Sequence, residues 1–138
     1  MIVGEQKPLA EIKSMLTGVH KVLVVGCGTC VTVCMAGGEK EVGILASALR
    51  MATRLDGDGA DFDEITVQRQ CEWEYIDPLA GRLADYEAVL SLACGIGVQT
   101  LVQRFPNLWV LPGLNTTFLG MPPEQGVFAP SRAAPSSC

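Results

Sequence analysis

Three cysteines stand close together in the first third of the chain. Cys27, Cys30 and Cys34 follow one another at C-x2-C-x3-C spacing within the stretch VVGCGTCVTVCMAGG. Thiolates are the usual protein ligands of iron–sulfur clusters and of structural zinc. The glycines on both sides allow the backbone to turn several sulfurs inward. The spacing therefore predicts a thiolate-ligated metal centre.

Two further cysteines, Cys71 and Cys94, lie farther along the chain. A [4Fe–4S] cluster needs four thiolates, which Cys27, Cys30 and Cys34 would supply together with either Cys71 or Cys94. Zinc accepts the same set, although zinc sites usually pair two C-x-x-C units and this chain has one. A thioredoxin-like redox pair and buried free thiols are the remaining interpretations, and we favour the cluster.

Hydrophobic periodicity predicts the elements that carry these cysteines. It predicts strands over residues 22–25, 64–69, 88–92 and 108–111, and helices over residues 8–16, 39–55, 77–83 and 98–105. Asp77 is the predicted N-cap of the third helix, because Pro78 follows it. The alternation predicts an α/β, Rossmann/flavodoxin-like three-layer domain with a four-stranded parallel sheet of order about 2-1-3-4.

The predicted topology brings distant cysteines together. Cys27, Cys71 and Cys94 each follow a different strand, and the carboxyl ends of parallel strands share one edge of the sheet. We expect a cysteine-rich cluster-binding domain over residues 1–120 and a Pro/Ala/Ser-rich tail over residues 121–138. Gly26 and Gly28 match the first two glycines of the dinucleotide-binding motif G-x-G-x-x-G, but Val31 occupies the position of the third glycine.

Composition excludes several classes of function. The net charge is −5, and the ten Lys and Arg residues form no cluster, which argues against a nucleic-acid or anionic-membrane partner. Hydrophobic residues make up 49% and charged residues 18%, typical of a subunit that buries surface against a partner or of a well-filled α/β core. No signal peptide or membrane-spanning run is recognised, so we expect a cytoplasmic protein whose cysteines are ligands or redox groups.

Four blocks of the sequence resemble a known family. The small subunit (MetV-type) of bacterial methylenetetrahydrofolate reductase is similar over about residues 1–121, in the blocks VVGCGTCVTVCMAGGEKEV, RQCEWEYI, LSLACGIGVQTL and LPGLNTTFLG. The resemblance implies a subunit that binds an iron–sulfur cluster, with zinc as the alternative. It also implies a flavin-containing large subunit as partner, a further electron-donor protein, and a role in the one-carbon reactions of the acetyl-CoA pathway.

The resemblance also implies which residues bind the metal. Matched by position, the family's cysteines fall on Cys27, Cys30, Cys34, Cys71 and Cys94. We rank Cys94 above Cys71 as the fourth ligand, because its strand is expected to lie beside the first and its CGIG context offers free amides. No residue is a candidate for folate or flavin binding, so the isolated chain is not expected to be catalytic.

Two functions remain open at this point. The chain is either an electron-relay subunit or a structural subunit whose metal only stabilises a docking surface. The candidates for the partner-facing surface are Met35, Trp73, Tyr75, Phe118 and Met121.

Overall fold

The computed structural model describes residues 2–57, 59–124 and 127–130, with side chains for residues 3–57 and 59–116. A 3-10 turn, Asp77–Leu79, joins two of the short helices. None of the described helices is long and apolar enough to cross a membrane. The elements in chain order are β1 (Ile2–Gln6), α1 (Leu9–Met15), β2 (Lys21–Cys27), α2 (Cys30–Val33), α3 (Glu39–Leu55), β3 (Asp61–Val67), α4 (Trp73–Ile76), α5 (Ala80–Leu83), β4 (Ala88–Leu92), α6 (Gly95–Arg104), β5 (Val110–Pro112), β6 (Leu114–Glu124) and β7 (Val127–Pro130).

Four of the strands form a parallel sheet of order β3-β2-β4-β5. β2 is central: Val22 pairs with Phe62 of β3 on one side and with Ala88 of β4 on the other. The prediction of an α/β protein with a four-stranded parallel sheet is confirmed. The strand numbers differ from the predicted 2-1-3-4 because the unpredicted strand β1 precedes the four.

Both faces of this sheet are covered. Val22, Val24 and Leu90 belong to a core cluster that also contains residues of α1 and α3. Leu23 and Val25 belong to a second cluster, which contains residues of α5 and α6. Because neighbouring residues of a strand point to opposite faces, burial of both faces requires the unbroken apolar runs seen in β2 and β4.

A second, antiparallel sheet of order β1-β6-β7 was not predicted from the sequence. β1 is short, and it pairs with residues more than a hundred positions away, from Ile2 opposite Leu119 to Gln6 opposite Leu114. In β6 the register with β7 shifts between Met121 and Glu124. Two prolines stand in that interval, and proline within a sheet is confined to edges and bulges. Residues 125, 126 and 131–138 of the predicted tail lie outside the described residues.

The predicted capping role of Asp77 is wrong. The helical segment already begins at Trp73, so Asp77 falls inside it and makes no side-chain capping bond. Its carboxylate oxygen Oδ1 instead accepts a hydrogen bond from Arg104 Nε of α6 at 2.6 Å. The Asp-Pro pair is compatible with a helix start, but the helical turn Trp73–Ile76, in which Ile76 is buried, precedes it without a break.

Gly37 brings the cysteine-bearing segment tightly against the end of β4. A Cβ atom at this position would overlap the carbonyl oxygen of Leu92 and lie 2.8 Å from Val31 Cγ2. We expect Gly37→Ala to lower the free energy of unfolding by roughly 2–3 kcal/mol, because the backbone of β4 has to move. Urea denaturation followed by circular dichroism measures the change.

The matched control is Gly81→Ala in α5. No atom lies within 4 Å of a Cβ built at Gly81. In a helix this substitution should raise the free energy of unfolding by about 0.5–1 kcal/mol. Equal effects of the two substitutions would contradict the packing described here.

Candidate metal centre

Four cysteines from three separate connections line one cavity of about 220 Å³. Cys27 ends β2, Cys30 begins α2, Cys71 lies between β3 and α4, and Cys94 is the N-cap of α6. The cavity therefore lies at the carboxyl edge of the parallel sheet, as the predicted topology required. This edge is where open α/β sheets usually place their sites.

Backbone hydrogen bonds hold the first of these connections in place. The Cys27 N–H donates to the Gly37 carbonyl at 2.9 Å, and the Gly28 N–H donates to the Val67 carbonyl of β3 at 2.8 Å. Thr32 Oγ1 donates to the Cys27 carbonyl at 2.7 Å. A Cβ added at Gly26 would lie 2.5 Å from Val42 Cγ2, so only glycine fits where β2 passes α3.

The helical turn α2 ends at a methionine in left-handed conformation. Met35 has φ 56°, and its N–H donates to the Thr32 carbonyl at 3.0 Å while the Ala36 N–H donates to the Val31 carbonyl at 2.9 Å. These are the two bonds of a Schellman cap, whose left-handed position is usually glycine. The left-handed conformation costs a non-glycine residue roughly 1–2 kcal/mol. The Met35 side chain is 79% exposed, so packing does not offset that cost within this chain.

Cys34 is not among the residues that line the cavity. It is the C-cap of α2, its Sγ contacts the Cys30 carbonyl oxygen at 3.3 Å, and its side chain packs against the core cluster beneath α3. Of the five cysteines expected to be ligands, the structure thus places four around the cavity, and the half-buried Cys34 is not among its lining residues.

The first turn of α6 surrounds Cys94. Burial raises the pKa of the Cys94 thiol, while hydrogen bonds from the Gly97 and Ile96 N–H groups act in the opposite direction. The Gly95 N–H donates to Thr116 Oγ1 of β6 at 3.1 Å, so the small antiparallel sheet supports this helix end. The amides expected around Cys94 from its CGIG sequence are present.

Electrostatic coupling among the thiols reflects how close they lie. Partial burial raises the pKa of Cys71, and the neighbouring thiols of Cys27 and Cys94 raise it further. Cys27 and Cys30 likewise raise the pKa of Cys94. In the metal-free chain Cys71 and Cys94 are therefore neutral at pH 7, and binding of a metal has to release their protons.

Sequence analysis missed two polar residues beside the cavity. Gln70 is fully buried; its Nε2 donates to the Val25 carbonyl at 2.8 Å, and its Oε1 accepts from Ser91 Oγ at 2.5 Å. The available signal was a serine inside the otherwise apolar run of β4. A polar side chain at a fully buried strand position needs a partner.

Four thiols around one cavity are the donor set that an iron–sulfur cluster requires. Among the described residues, no group of three or more His, Cys, Asp or Glu side chains is arranged to hold one metal ion. The four thiols instead surround a volume several times that of a water molecule, about 30 Å³ in the liquid. In a [4Fe–4S] cluster each thiolate binds a different iron atom. The number and type of donors therefore fit such a cluster.

A larger cavity of the described part lies elsewhere. It measures about 480 Å³ and lies between α1 and the C-terminal half of α3, with Leu49 and Phe62 among its lining residues. The ion pair between Lys13 Nζ and Asp56 Oδ2, at 2.6 Å, is also part of its wall. It contains no thiol or histidine, so the smaller thiol cavity is the better candidate site.

The chain was compared with protein-family models, with curated proteins and with solved structures. No match was found in any of the three. The functional assignment therefore depends on the thiol cavity and on the sequence blocks described above.

Alkylation of the metal-free protein tests the geometry of the cavity. Cys71 is exposed, whereas Cys27 is 8% exposed. Under anaerobic conditions at pH 8 we expect iodoacetamide to modify Cys71 first and Cys27 last, with rates that differ by at least about tenfold, because thiol reactivity follows access. Peptide mapping by mass spectrometry measures the order. Modification of Cys27 as fast as that of Cys71 would contradict the arrangement.

Proposed function

We propose that the thiol cavity binds a [4Fe–4S] cluster through Cys27, Cys30, Cys71 and Cys94, and that the protein is an electron-relay subunit. The observation that carries the proposal is the meeting of four thiols from three connections around one cavity. When bound, such a cluster supplies one-electron transfer, with a potential set by hydrogen bonds to its sulfurs and by solvent exposure. The alternative cofactor is zinc, which would need the same thiols to converge on one ion.

The position of the cavity in the fold supports a relay. The helix after β2 covers one face of the sheet and the helix after β4 covers the other, so the two neighbouring strands form a topological switch point. This is the flavodoxin-like arrangement, in which ligands bind in the crevice between such strands. Cys27 and Cys94 stand on its two sides. Because Cys71 is exposed, electrons reach the cavity without crossing a protein layer.

The chemistry of the cavity wall also supports a cluster. Apart from the four thiols, it is lined mainly by apolar and small residues, and Arg69 is the one lining residue with a charge. The N–H groups of Ile96 and Gly97 lower the pKa of the Cys94 thiol, against the effect of burial. Amides of this kind stabilise thiolates at a helix N-terminus and hydrogen-bond cluster sulfurs.

We assign the partner from the sequence resemblance. It is the flavin-containing large subunit of a methylenetetrahydrofolate reductase, in a cytoplasmic complex of one-carbon metabolism in which this chain relays electrons from a donor protein. Two of the proposed contact residues agree with such an interface: Met35 is 79% and Trp73 is 54% exposed. Tyr75 is half-buried, and the side chains of Phe118 and Met121 lie outside the described part.

A structural role is the second candidate, and one observation favours it. The thiols belong to three separate connections, so a metal centre would cross-link them and stabilise the edge of the sheet. Redox behaviour distinguishes this role from a relay.

Substitution of each cysteine tests the ligand set. Cys27→Ser, Cys30→Ser, Cys71→Ser and Cys94→Ser should each lower the iron content of anaerobically reconstituted protein by more than about half, because serine is a poor ligand for iron. Cys34→Ser is the matched control and should keep full iron content. If Cys34→Ser loses iron while Cys71→Ser keeps it, the proposed ligand set is wrong. The ligands would then be the three closely spaced cysteines and Cys94.

Reduction tests the relay. We expect dithionite to bleach the visible absorption of the reconstituted protein reversibly, and the reduced protein to reduce the flavin of the large subunit in stopped-flow mixing. The reason is that a relay has to change oxidation state between its donor and the flavin. If the colour resists reduction while the complex still turns over with an artificial donor, the structural role is correct.

A further inference from the structure

Gln70 stands out as a buried amide at the junction of three strands. Its side chain is completely buried, and Cys71 follows it directly in the chain. The amide nitrogen donates to the Val25 carbonyl of β2 at 2.8 Å. The amide oxygen accepts from Ser91 Oγ of β4 at 2.5 Å. One side chain therefore bridges the two central strands and the connection that follows β3.

Each partner of Gln70 lies next to a thiol-bearing segment. Val25 precedes Cys27 in β2, and Ser91 of β4 precedes Cys94, which lies beyond the end of that strand. The first turn of α6 also rests on Gln70, since a Cβ added at Gly97 would lie 3.1 Å from Gln70 Cβ. The Gln70 amide thus bonds to β2 and β4, its Cβ packs against the first turn of α6, and Cys71 follows it directly in the chain.

The energetics of a buried amide make this arrangement specific. An amide removed from water costs free energy unless its donor and acceptor are both bonded. Val25 O and Ser91 Oγ meet that requirement in one relative placement of the strands and the connection. An apolar side chain of similar size would fill the space and tolerate a range of placements.

We propose that Gln70, held by Ser91, is a positioning residue for the metal centre. It fixes the distance between Cys71 and two other thiols: Cys27, the last residue of β2, and Cys94, which follows β4 as the N-cap of α6. The inference rests on the proposed function in one respect: only if a cluster is bound does Gln70 define the positions of the sulfurs around it. The positioning itself is a property of the metal-free chain.

The test compares Gln70→Met and Ser91→Ala with Leu49→Ala. Methionine keeps the length of the side chain and removes both hydrogen bonds, and Ser91→Ala removes one of them. Leu49 is fully buried in α3 beside the 480 Å³ cavity, so Leu49→Ala is the control for general loss of stability. Two measurements apply to each variant: the alkylation rate of Cys94 in the metal-free chain, and the electron paramagnetic resonance spectrum of the reduced, reconstituted protein.

In Gln70→Met we expect Cys94 to be alkylated at least about threefold faster than in the unaltered chain, because the end of β4 loses its anchor. The g values in the electron paramagnetic resonance spectrum of the reduced, reconstituted Gln70→Met protein should differ from those of the unaltered protein. Ser91→Ala should change the Cys94 alkylation rate and the g values in the same direction as Gln70→Met, but by a smaller amount. Leu49→Ala should lower stability and leave the g values unchanged.

The possible results separate this inference from the proposed function. If the unaltered protein takes up no iron, the proposed function fails, while the alkylation comparison still decides the role of Gln70. Suppose instead that the unaltered protein takes up iron. If Gln70→Met and Ser91→Ala then both have the Cys94 alkylation rate and the g values of the unaltered protein, Gln70 only fills space in the core, and the inference is overturned. Should Gln70→Met not fold, Ser91→Ala alone decides between these outcomes.

Discussion

Strands β2 and β4 are buried on both faces, so polar chemistry on them is restricted to their ends. Every residue of β4 is buried, and in β2 only the first residue is exposed. Parallel pairing then places all carboxyl ends at one edge. Thiols can therefore surround one cavity only in the connections that follow the strands at this edge. The cavity, its access to solvent and its relation to the helix ends all follow from that constraint.

Several local features at this edge are costly by themselves. Met35 adopts a left-handed conformation that glycine adopts without strain, and Gly26 and Gly37 pack against backbone or side chains with no space for a Cβ. The Gln70 amide is buried completely. Away from the cavity the chain follows ordinary patterns, as in α3, whose acidic first turn and basic last turn suit the helix dipole. Strain and buried polarity concentrated at one edge are typical of a functional site.

The elements that sequence analysis predicted well are those whose signal is local. Helix α3 and strand β4 were predicted with the bounds they have, because each has a complete hydrophobic period or run and a clear end. The convergence of Cys27, Cys71 and Cys94 was also predicted, since it needs only the direction of the strands.

Features that depend on distant pairing were missed. β1 has no stable partner until β6, far along the chain, lies beside it. Which of the closely spaced cysteines line the cavity depends on how the α2 turn packs against the core, which spacing alone does not reveal. The role of Gln70 depends on partners from two other strands. A period or a motif carries no information about such contacts.

The central claim is that four thiols of this chain hold a polynuclear cluster. Iron, acid-labile sulfide and zinc counted per chain in anaerobically purified protein, together with its visible spectrum, test the claim most directly. We predict about four irons and about four sulfides per chain, and a broad absorption band at roughly 400 nm. A colourless protein with about one zinc per chain and no sulfide would contradict the claim.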